Sequence, residues 1–281
     1  MQTIEKYFIF SVMRNKVVLI TGSTGGIGKA LAEKFAAEGS KVIISGRQHD
    51  LLHANAESMK RKGGNVFVVP ADVSKESDCE RLVSETVNKF GGIDVLINNA
   101  GISMRALFED VDIEVIRKVM DVNFWGAVYT TKFAMPFLLK AKGSIVGISS
   151  IAGKKGLPGR CGYSASKFAL EGFLETLRTE NLKKDLHVLV ACPGFTASGI
   201  REKSLSKDGT AQGESPRDEK SMMTAEEVAG KIYSAVKNRR RDLILTPEGK
   251  LSVVLNKFFP SWMDGVVYNH MAKEPNSPFK K

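Results

Sequence analysis

Short apolar runs rich in β-branched residues recur along the chain. They span 16–20, 41–45, 65–69, 94–98, 144–149, 187–191 and 242–246. Short runs without strict alternation of polar and apolar positions are typical of strands that are buried on both faces of a sheet. The pattern therefore predicts about seven buried strands.

Segments with helical periodicity separate these runs. One spans 28–39 and ends at Gly39, a residue type that commonly follows a helix. Two longer helical segments are predicted over 113–139 and 163–182. Parallel strands that alternate with helices are joined by right-handed crossovers. The sequence thus predicts the α/β class, with a doubly wound parallel sheet and helices on both of its faces.

The same alternation defines the domain organisation. It continues without a break to Thr246, which predicts a single domain over 13–246. Residues 1–12 precede a compact start, "MRNKVVLITG", and are interpreted as an N-terminal extension, the alternative being a misassigned start. The polar segment 196–223 is rich in Ser and Gly and longer than an ordinary connection, so we expect a substrate lid there. Residues 247–281 form a C-terminal tail.

Composition and charge narrow the range of partners. The chain has 281 residues, of which 43% are hydrophobic, so it can bury a large core. Its net charge is +10, with a basic cluster at 237–242. Such a cluster is compatible with an anionic cofactor, an anionic membrane surface or nucleic acid. No nucleic-acid motif accompanies it, and we expect no nucleic acid as partner. No apolar run approaches the ~18 residues of a membrane span.

Cysteines and histidines give no sign of a metal or disulfide framework. Cys79, Cys161 and Cys192 are scattered without a CxxC pair, and the four histidines form no cluster. This usage suits a reducing, cytoplasmic compartment, and we expect no metal site.

A glycine-rich loop, "TGSTGGIG" (21–28), connects the first predicted strand to the first helix. Gly22, Gly26 and Gly28 permit tight turns and close approach of the backbone to a ligand. The following helix start offers free N–H groups and a positive dipole to a pyrophosphate. The position of the loop, between strand and helix, predicts a Rossmann-like dinucleotide site.

Further motifs follow in a fixed order. They are "ADV" (71–73), "NNAG" (98–101), Asn123 in "DVNFWG", Ser150, "YSASK" (163–167) and "PGF" (193–195) followed by Thr196. With the TGxxxGxG spacing of the loop, the chain over about 14–246 resembles the short-chain dehydrogenase/reductase family. The resemblance implies an oxidoreductase that transfers hydride between a nicotinamide cofactor and a carbonyl or secondary alcohol.

The resemblance also implies roles for individual residues. Tyr163, Lys167, Ser150 and Asn123 match the family's catalytic positions, with Asn123 in a proton relay. Asp72 matches a contact to the adenine, and the 193–196 stretch matches the nicotinamide cradle. The implied cofactor-binding residues are Gly22, Ser23, Thr24, Gly26, Ile27, Gly28, Arg47, Asp72, Val73, Asn99, Ala100, Gly101, Tyr163, Lys167, Pro193, Gly194 and Thr196.

The end of the second strand indicates which cofactor is used. NAD sites place Asp or Glu there to accept hydrogen bonds from the ribose, whereas Arg accommodates a 2′-phosphate. This chain has Gly46 and Arg47, with no carboxylate before Asp50. A guanidinium can bind a phosphate bidentately, which favours NADP(H).

Tyr163 and Lys167 are one helical turn apart, a spacing at which side chains can be neighbours. A free tyrosine has a pKa of about 10 and is a weak acid near neutrality. An ammonium ~4 Å away at an effective dielectric constant of ~20 would lower that pKa by about three. We therefore expect Tyr163 to exchange a proton with the substrate oxygen, Lys167 to lower its pKa and bind the nicotinamide ribose, and Ser150 to hydrogen-bond the substrate.

The substrate and the partners remain open at this stage. The sequence around Tyr163 is similar to the family branch that reduces hydrophobic carbonyls such as steroids, retinoids and lipid ketones. The alternatives are a 3-oxoacyl-type reductase and a non-catalytic nucleotide-sensing module. The apolar residues of the tail could contact a membrane peripherally, cap the pocket or pack on a second subunit. The family commonly forms homodimers and homotetramers through the helices that contain Asn123 and Tyr163.

Overall fold

The structure, a computed structural model, describes residues 13–215, 219 and 222–279. The predicted extension 1–12 lies outside the described residues, as do a few positions of the lid and the last two of the tail.

Seven parallel strands form the central sheet, in the order β3-β2-β1-β4-β5-β6-β9. The strands are β1 (Val17–Ile20), β2 (Lys41–Ile44), β3 (Asn65–Val68), β4 (Val95–Asn98), β5 (Ser144–Ile148), β6 (His187–Cys192) and β9 (Asp242–Ile244). The predicted doubly wound α/β fold is confirmed, and each strand lies on one of the seven apolar runs.

Helices cover both faces of the sheet. In chain order they are α1 (Gly26–Ala37), α2 (His49–Arg61), α3 (Glu76–Phe90), α4 (Ile113–Met120), α5 (Gly126–Lys140), α6 (Cys161–Glu180) and α7 (Ala225–Lys237). One buried apolar cluster joins a face of the sheet to α1, α2 and α7. A second joins the opposite face to α3, α5 and α6. The strands are apolar on both sides because they supply both clusters.

A π-helical turn, Asp121–Trp125, lies between α4 and α5. It interrupts the single helix that the sequence predicts over 113–139. Such turns insert an extra residue into a helix and are frequent at functional sites. Here the turn contains Asn123, whose side chain is buried.

The two ends of the segment 196–223 lie next to each other. Two short parallel strands, β7 (Thr196–Ala197) and β8 (Met223–Thr224), pair at its base. Thr224 then forms a capping box with Glu227 that starts α7.

The tail contains two helices that the sequence pattern does not predict, α8 (Pro247–Phe258) and α9 (Pro260–Ala272). The Thr246 side chain caps α8 by accepting a 3.0 Å hydrogen bond from the Gly249 N–H. Pro260 separates the two helices, because a proline disfavours helical geometry in the residue before it. No helix in the described parts of the chain is long and apolar enough to cross a membrane.

Candidate active site

A cavity of about 1590 Å³ lies at the carboxyl ends of the central strands. The strand order reverses between β1 and β4, which is where doubly wound folds bind their ligands. The cavity lining includes the glycine loop, Arg47, Tyr163, and residues of the lid and the tail. The fold therefore brings most of the predicted site residues into one cavity.

The glycine loop can exist only without side chains at two of its positions. A Cβ on Gly22, whose φ is +65°, would lie 2.6 Å from Ala100 Cα. A Cβ on Gly28 would lie 2.3 Å from the Gly22 carbonyl oxygen. Within the described chain, no side chain caps the first turn of α1, so its N–H groups face the loop. This cradle has the open backbone and the donors that a dinucleotide phosphate requires.

The "NNAG" motif supports this cradle from the neighbouring strand. Asn99 Nδ2 donates hydrogen bonds of 2.9 Å to the carbonyl oxygens of Thr21 and Gly22. Asn98 accepts a hydrogen bond from Thr130 and donates one to Thr131, which joins β4 to α5. The motif thus fixes the loop backbone relative to β4.

Tyr163, Ser150 and Lys167 come together beside this cradle. The Ser150 side chain lowers the pKa of the neighbouring Tyr163 phenol, and both residues line the cavity. Lys167 Nζ lies over the Tyr163 ring, 5.7 Å from its centroid, and donates a 2.9 Å hydrogen bond to the Ile148 carbonyl oxygen. A proton donor, a hydroxyl and a buried ammonium therefore converge on the cavity.

The comparison with known proteins identifies the family. The family model described as short chain dehydrogenase matches residues 16–209. The chain belongs to the short-chain dehydrogenase family. Mouse "Dehydrogenase/reductase SDR family member 7B" is 34% identical over 271 residues, 94% of this chain and 84% of that protein. "11-beta-hydroxysteroid dehydrogenase-like 2" of Arabidopsis thaliana is 43% identical over 197 residues. That match covers 69% of this chain and 64% of the plant protein, less than two thirds of its length.

Solved structures agree on the fold. A short-chain dehydrogenase/reductase from Burkholderia phymatum, in complex with NAD, has a TM-score of 0.80 at 24% identity, covering 89% of this chain and 95% of that chain. An alcohol dehydrogenase from Thermococcus sibiricus, complexed with 5-hydroxy-NADP, has a TM-score of 0.73 at 25% identity, covering 82% and 95%. The sheet described above is thus the short-chain dehydrogenase fold.

Burial determines the direction of the pKa shifts of Tyr163 and Lys167. Burial raises the pKa of the phenol, and the Ser150 side chain and the charges of Arg160 and Arg201 lower it in part. Burial also lowers the pKa of Lys167, to about 8. Burial thus dominates the pKa of both side chains, and a lowering of the Tyr163 pKa by Lys167 stays a prediction.

Most of the implied cofactor-binding residues of this short-chain dehydrogenase line the cavity. They are Gly22, Thr24, Gly26, Ile27, Gly28, Arg47, Asp72, Val73, Asn99, Ala100, Gly101, Tyr163, Lys167, Pro193, Gly194 and Thr196. Ser150 lines it as well. Arg47 is exposed directly after β2, and the Asp72 carboxylate accepts hydrogen bonds from the Ser74 backbone and hydroxyl.

Ser23 does not belong to this set. Its side chain is fully buried and donates to the carbonyl oxygens of Ile20 and Ser45, each at 3.1 Å. The hydroxyl therefore joins β1 to β2 and does not line the cavity. A loop motif in a sequence does not reveal which way each side chain turns.

Asn123 lies just behind the cavity wall. Its Oδ1 accepts a 2.8 Å hydrogen bond from the Ile102 N–H, and its Nδ2 donates to the Ile102 carbonyl and to Ser166. A Cβ on Gly101 would lie 3.3 Å from Asn123 Oδ1 and 3.4 Å from Lys167 Nζ. Both side chains thus approach the position that a Cβ of Gly101 would occupy, and the proton relay through Asn123 stays a prediction.

Several cavity residues were missed by sequence reasoning. Arg160 lies one helical turn before Tyr163 and starts α6, so helical spacing alone could have indicated it. Arg201 lies in the lid, where its guanidinium donates to the Thr196 carbonyl at 2.7 Å and pairs with Glu219. The others are mostly apolar and come from the lid and the tail, among them Ile200, Met222, Met263, Val267 and Met271. No local pattern marks them, because they approach the site only through tertiary packing.

Proposed function

We propose that the protein is an NADP(H)-dependent oxidoreductase that reduces a hydrophobic ketone or aldehyde. The observation that carries the proposal is that Tyr163, Ser150 and the buried Lys167 line one cavity that also contains the glycine cradle. A merely nucleotide-sensing module would not require these three side chains at its cavity.

In this reaction some residues of the chain would bind the cofactor and others would bind the substrate and transfer the proton. The glycine loop and the first turn of α1 would hold the pyrophosphate, and Arg47 would hold the 2′-phosphate. A bound nicotinamide supplies the hydride in this chemistry. Ser150 would donate a hydrogen bond to the substrate carbonyl, and Tyr163 would give its proton to the same oxygen as negative charge develops there.

The groups around Tyr163 act in opposite directions on its proton. Burial raises the pKa of the phenol, which keeps it protonated near neutral pH and makes the phenolate costly. The positive charges of Arg160 and Arg201 act on the phenol and would stabilise the phenolate after proton transfer. The buried ammonium of Lys167 over the ring acts on the phenolate in the same direction.

The walls of the cavity favour an apolar substrate. Beyond Tyr163 they include Leu157, Phe195, Leu205, Met222, Met263 and Met271. Methionines adapt to irregular shapes, which suits a bulky apolar ligand better than a small polar one. Steroids, retinoids and lipid ketones have this character, as do the acyl chains of 3-oxoacyl substrates.

The experiment is NADPH consumption with panels of steroids, aliphatic ketones, aldehydes and 3-oxoacyl thioesters. We expect the wild type to turn over an apolar ketone or aldehyde, and Tyr163→Phe to lose about 100-fold or more of that rate while still binding NADPH. Turnover confined to 3-oxoacyl thioesters would identify the alternative reductase. Near-wild-type turnover by Tyr163→Phe would refute the catalytic assignment.

We also propose that the tail contacts an anionic membrane surface peripherally. One side of the tail lines the cavity. The other side has apolar side chains that are about half exposed or more, namely Leu251, Val254, Phe258, Phe259 and Trp262. Lys250 and Lys257 lie on the same part of the tail. Exposed apolar residues next to lysines are typical of interfacial helices.

The test of this membrane contact is sedimentation with vesicles. The wild type should sediment with phosphatidylserine vesicles at low salt, and the double variant Phe258→Ser, Trp262→Ser should not. Leu182→Ser, at an exposed apolar residue elsewhere, is the control.

A homodimer or homotetramer is the third part of the proposal. Trp125 and Phe168 are 43% and 47% exposed on the helical segments that contain the predicted catalytic residues, and the Trp125 ring stacks on Tyr129. Apolar rings exposed on neighbouring helices are suited to a second copy of the chain. Sedimentation equilibrium should give a dimer or tetramer, and Trp125→Glu with Phe168→Glu should give a monomer. An unchanged mass for this variant would place the interface elsewhere.

A further inference from the structure

A largely buried carboxylate, Glu171, lies one helical turn beyond Lys167 on α6, as Lys167 lies one turn beyond Tyr163. Glu171 Oε1 accepts a 2.6 Å hydrogen bond from Ser149 Oγ and a 3.4 Å one from Cys192 Sγ. Its other oxygen forms an ion pair with Lys154, and the Glu171 side chain is only 12% exposed. One side chain of α6 is therefore attached to three other parts of the chain.

The partners of Glu171 are neighbours in sequence of the predicted site residues. Ser149 directly precedes Ser150 at the end of β5, and Cys192 directly precedes Pro193 at the end of β6. Because a residue moves with its neighbour on the backbone, the carboxylate holds both strand ends against the helix that carries Tyr163. The Glu171 carboxylate and the Ser149 hydroxyl are closely packed against Gly153. A Cβ at position 153 would lie 2.4 Å from Glu171 Oε1 and 2.6 Å from Ser149 Oγ.

Glu171 also acts on the charge of Lys167. Burial lowers the pKa of Lys167 to about 8, and Cys192 and Glu171 act in the opposite direction. Burial raises the pKa of the Cys192 thiol to about 12, so this thiol is neutral near pH 7 and the ionised neighbour is Glu171.

The remaining groups around Lys167 do not compete with this effect. Tyr163, on the same helix, has a raised pKa and is neutral at this pH. From β5 the Ile148 carbonyl accepts the hydrogen bond of Lys167, and the π-helical turn contributes the Asn123 carboxamide; neither titrates. Lys154, which follows β5, is paired with Glu171 itself.

We propose that Glu171 is a positioning residue of the reaction, an inference that rests on the proposed reductase function. Its carboxylate holds Ser150 and Pro193 in place relative to Tyr163. Its negative charge keeps the side chain of Lys167 in the ammonium form that binds and stabilises anionic groups in the site.

Two variants separate these two effects. Glu171→Gln keeps an oxygen that can accept the hydrogen bond from Ser149 but removes the charge, and Glu171→Ala removes both. The matched control is Glu175→Gln, one turn further on α6, whose side chain is 68% exposed and pairs with Arg241 on the surface. If Glu171→Ala does not fold, Glu171→Gln carries the test alone.

The first measurement needs no turnover. Competitive labelling with acetic anhydride, followed by peptide mass spectrometry, gives the pH at which Lys167 becomes reactive. For Glu171→Gln we expect this midpoint to fall by about one pH unit, because a charge one helical turn away in a partly buried site is worth roughly 1–2 kcal/mol. Glu175→Gln should leave it unchanged. An unchanged midpoint in Glu171→Gln overturns the electrostatic role.

The second measurement is kcat/KM for NADPH-dependent reduction as a function of pH. Since the charged form of Lys167 is the active one, activity falls as pH rises through its pKa, and this alkaline limb should move to lower pH in Glu171→Gln. At pH 6, Glu171→Gln should lie within about threefold of the wild type and Glu171→Ala about tenfold or more below it. Equal losses at every pH in both variants would mean a structural role only and would overturn the proposal. If the wild type itself shows no turnover, the proposed function fails, while the labelling still decides the role of Glu171.

Discussion

Glu274, near the end of the chain, shares its carboxylate between Arg160, at 3.4 Å, and Arg105, at 3.3 Å. All three side chains are less than a tenth exposed. Arg160 starts the helix that carries Tyr163 and lines the cavity, so this contact fastens the tail to the candidate active site. This buried carboxylate is therefore one of the contacts that hold the tail helices over the cavity.

Replacing Glu274 by Gln should loosen the tail. Removing one partner of a buried ion pair typically costs about 3–5 kcal/mol, because the other charge stays buried without compensation. We expect a lower Tm and a KM for an apolar ketone raised by about tenfold, with the Kd for NADPH changed by less than about twofold. Asp264→Asn is the control. Asp264 also lies on the tail and forms an ion pair with Lys155 of the body, but the Asp264 side chain is 71% exposed. Equal effects of the two variants would argue against a special role for Glu274.

Arg47 should decide the choice between NADPH and NADH. Arg47→Asp replaces a group that can bind a 2′-phosphate with one that repels it and can accept hydrogen bonds from ribose hydroxyls. The ratio of kcat/KM for NADPH over that for NADH should fall by about 100-fold or more, corresponding to roughly 3 kcal/mol. Arg61→Asp, an exposed change of the same charge on α2, should leave the ratio within about twofold. If the ratio is unchanged in Arg47→Asp, Arg47 does not bind the 2′-phosphate, and the proposal of NADP(H) as the cofactor is contradicted.

Gly28→Ala should abolish dinucleotide binding. The added methyl would lie 2.3 Å from the Gly22 carbonyl oxygen and 2.4 Å from Asn99 Nδ2, so the loop would have to open. Gly230→Ala is the counterpart in α7, where the methyl would meet nothing within 4 Å. That variant should bind NADPH normally and gain about 0.5–1 kcal/mol, because alanine favours the helix. NADPH fluorescence titration and thermal unfolding check both results, and tight binding by Gly28→Ala would contradict the cradle.

His187 should make stability depend on pH. Its ring lies between β5 and β9, with Nδ1 2.9 Å from Ser144 Oγ and Nε2 2.8 Å from the Arg240 carbonyl oxygen. Since a carbonyl only accepts, the neutral ring carries its proton on Nε2. Burial lowers the pKa of His187 below its ordinary value of 6.5. Between the lowered pKa of His187 in the folded protein and its ordinary pKa of 6.5, the unfolded chain binds more protons than the folded one. The contribution of His187 to stability is therefore complete above about pH 7 and is lost as pH falls below about 6.5.

The measurement is the free energy of unfolding in urea at pH 5, 6, 7 and 8. His187→Gln should flatten the decline below pH 7, whereas His53→Gln, at an exposed position of α2, should keep it. A wild type that is equally stable at pH 5 and pH 7 would contradict the buried neutral state of this ring.

The sequence predicts the sheet well because its strands are buried on both faces. Such strands appear as uninterrupted apolar runs whatever surrounds them, and all seven are found in the structure. The glycine loop is predictable for a similar reason, since its requirement for missing side chains is local.

The tail could not be predicted in the same way. Helices α8 and α9 divide their apolar residues between the cavity and the exposed surface, so Met263 is buried while Trp262 beside it is 58% exposed. This leaves no single apolar face for a periodicity to reveal. The direction in which the pKa of Tyr163 shifts was unpredictable for another reason. Sequence spacing shows that a charged residue lies one helical turn away, but it does not show how deeply both side chains are buried.

The pairing of β7 with β8 holds the two ends of the lid together. The lid also contacts the body beyond this pairing, since Leu205 exchanges backbone hydrogen bonds with Ser103 and Arg105. On its other side it packs against the glycine loop, where a Cβ on Gly26 would lie 2.8 Å from the Ser198 carbonyl oxygen. A lid exchanged between relatives would therefore have to preserve these contacts at Ser198 and Leu205 for the nucleotide cradle to keep its shape.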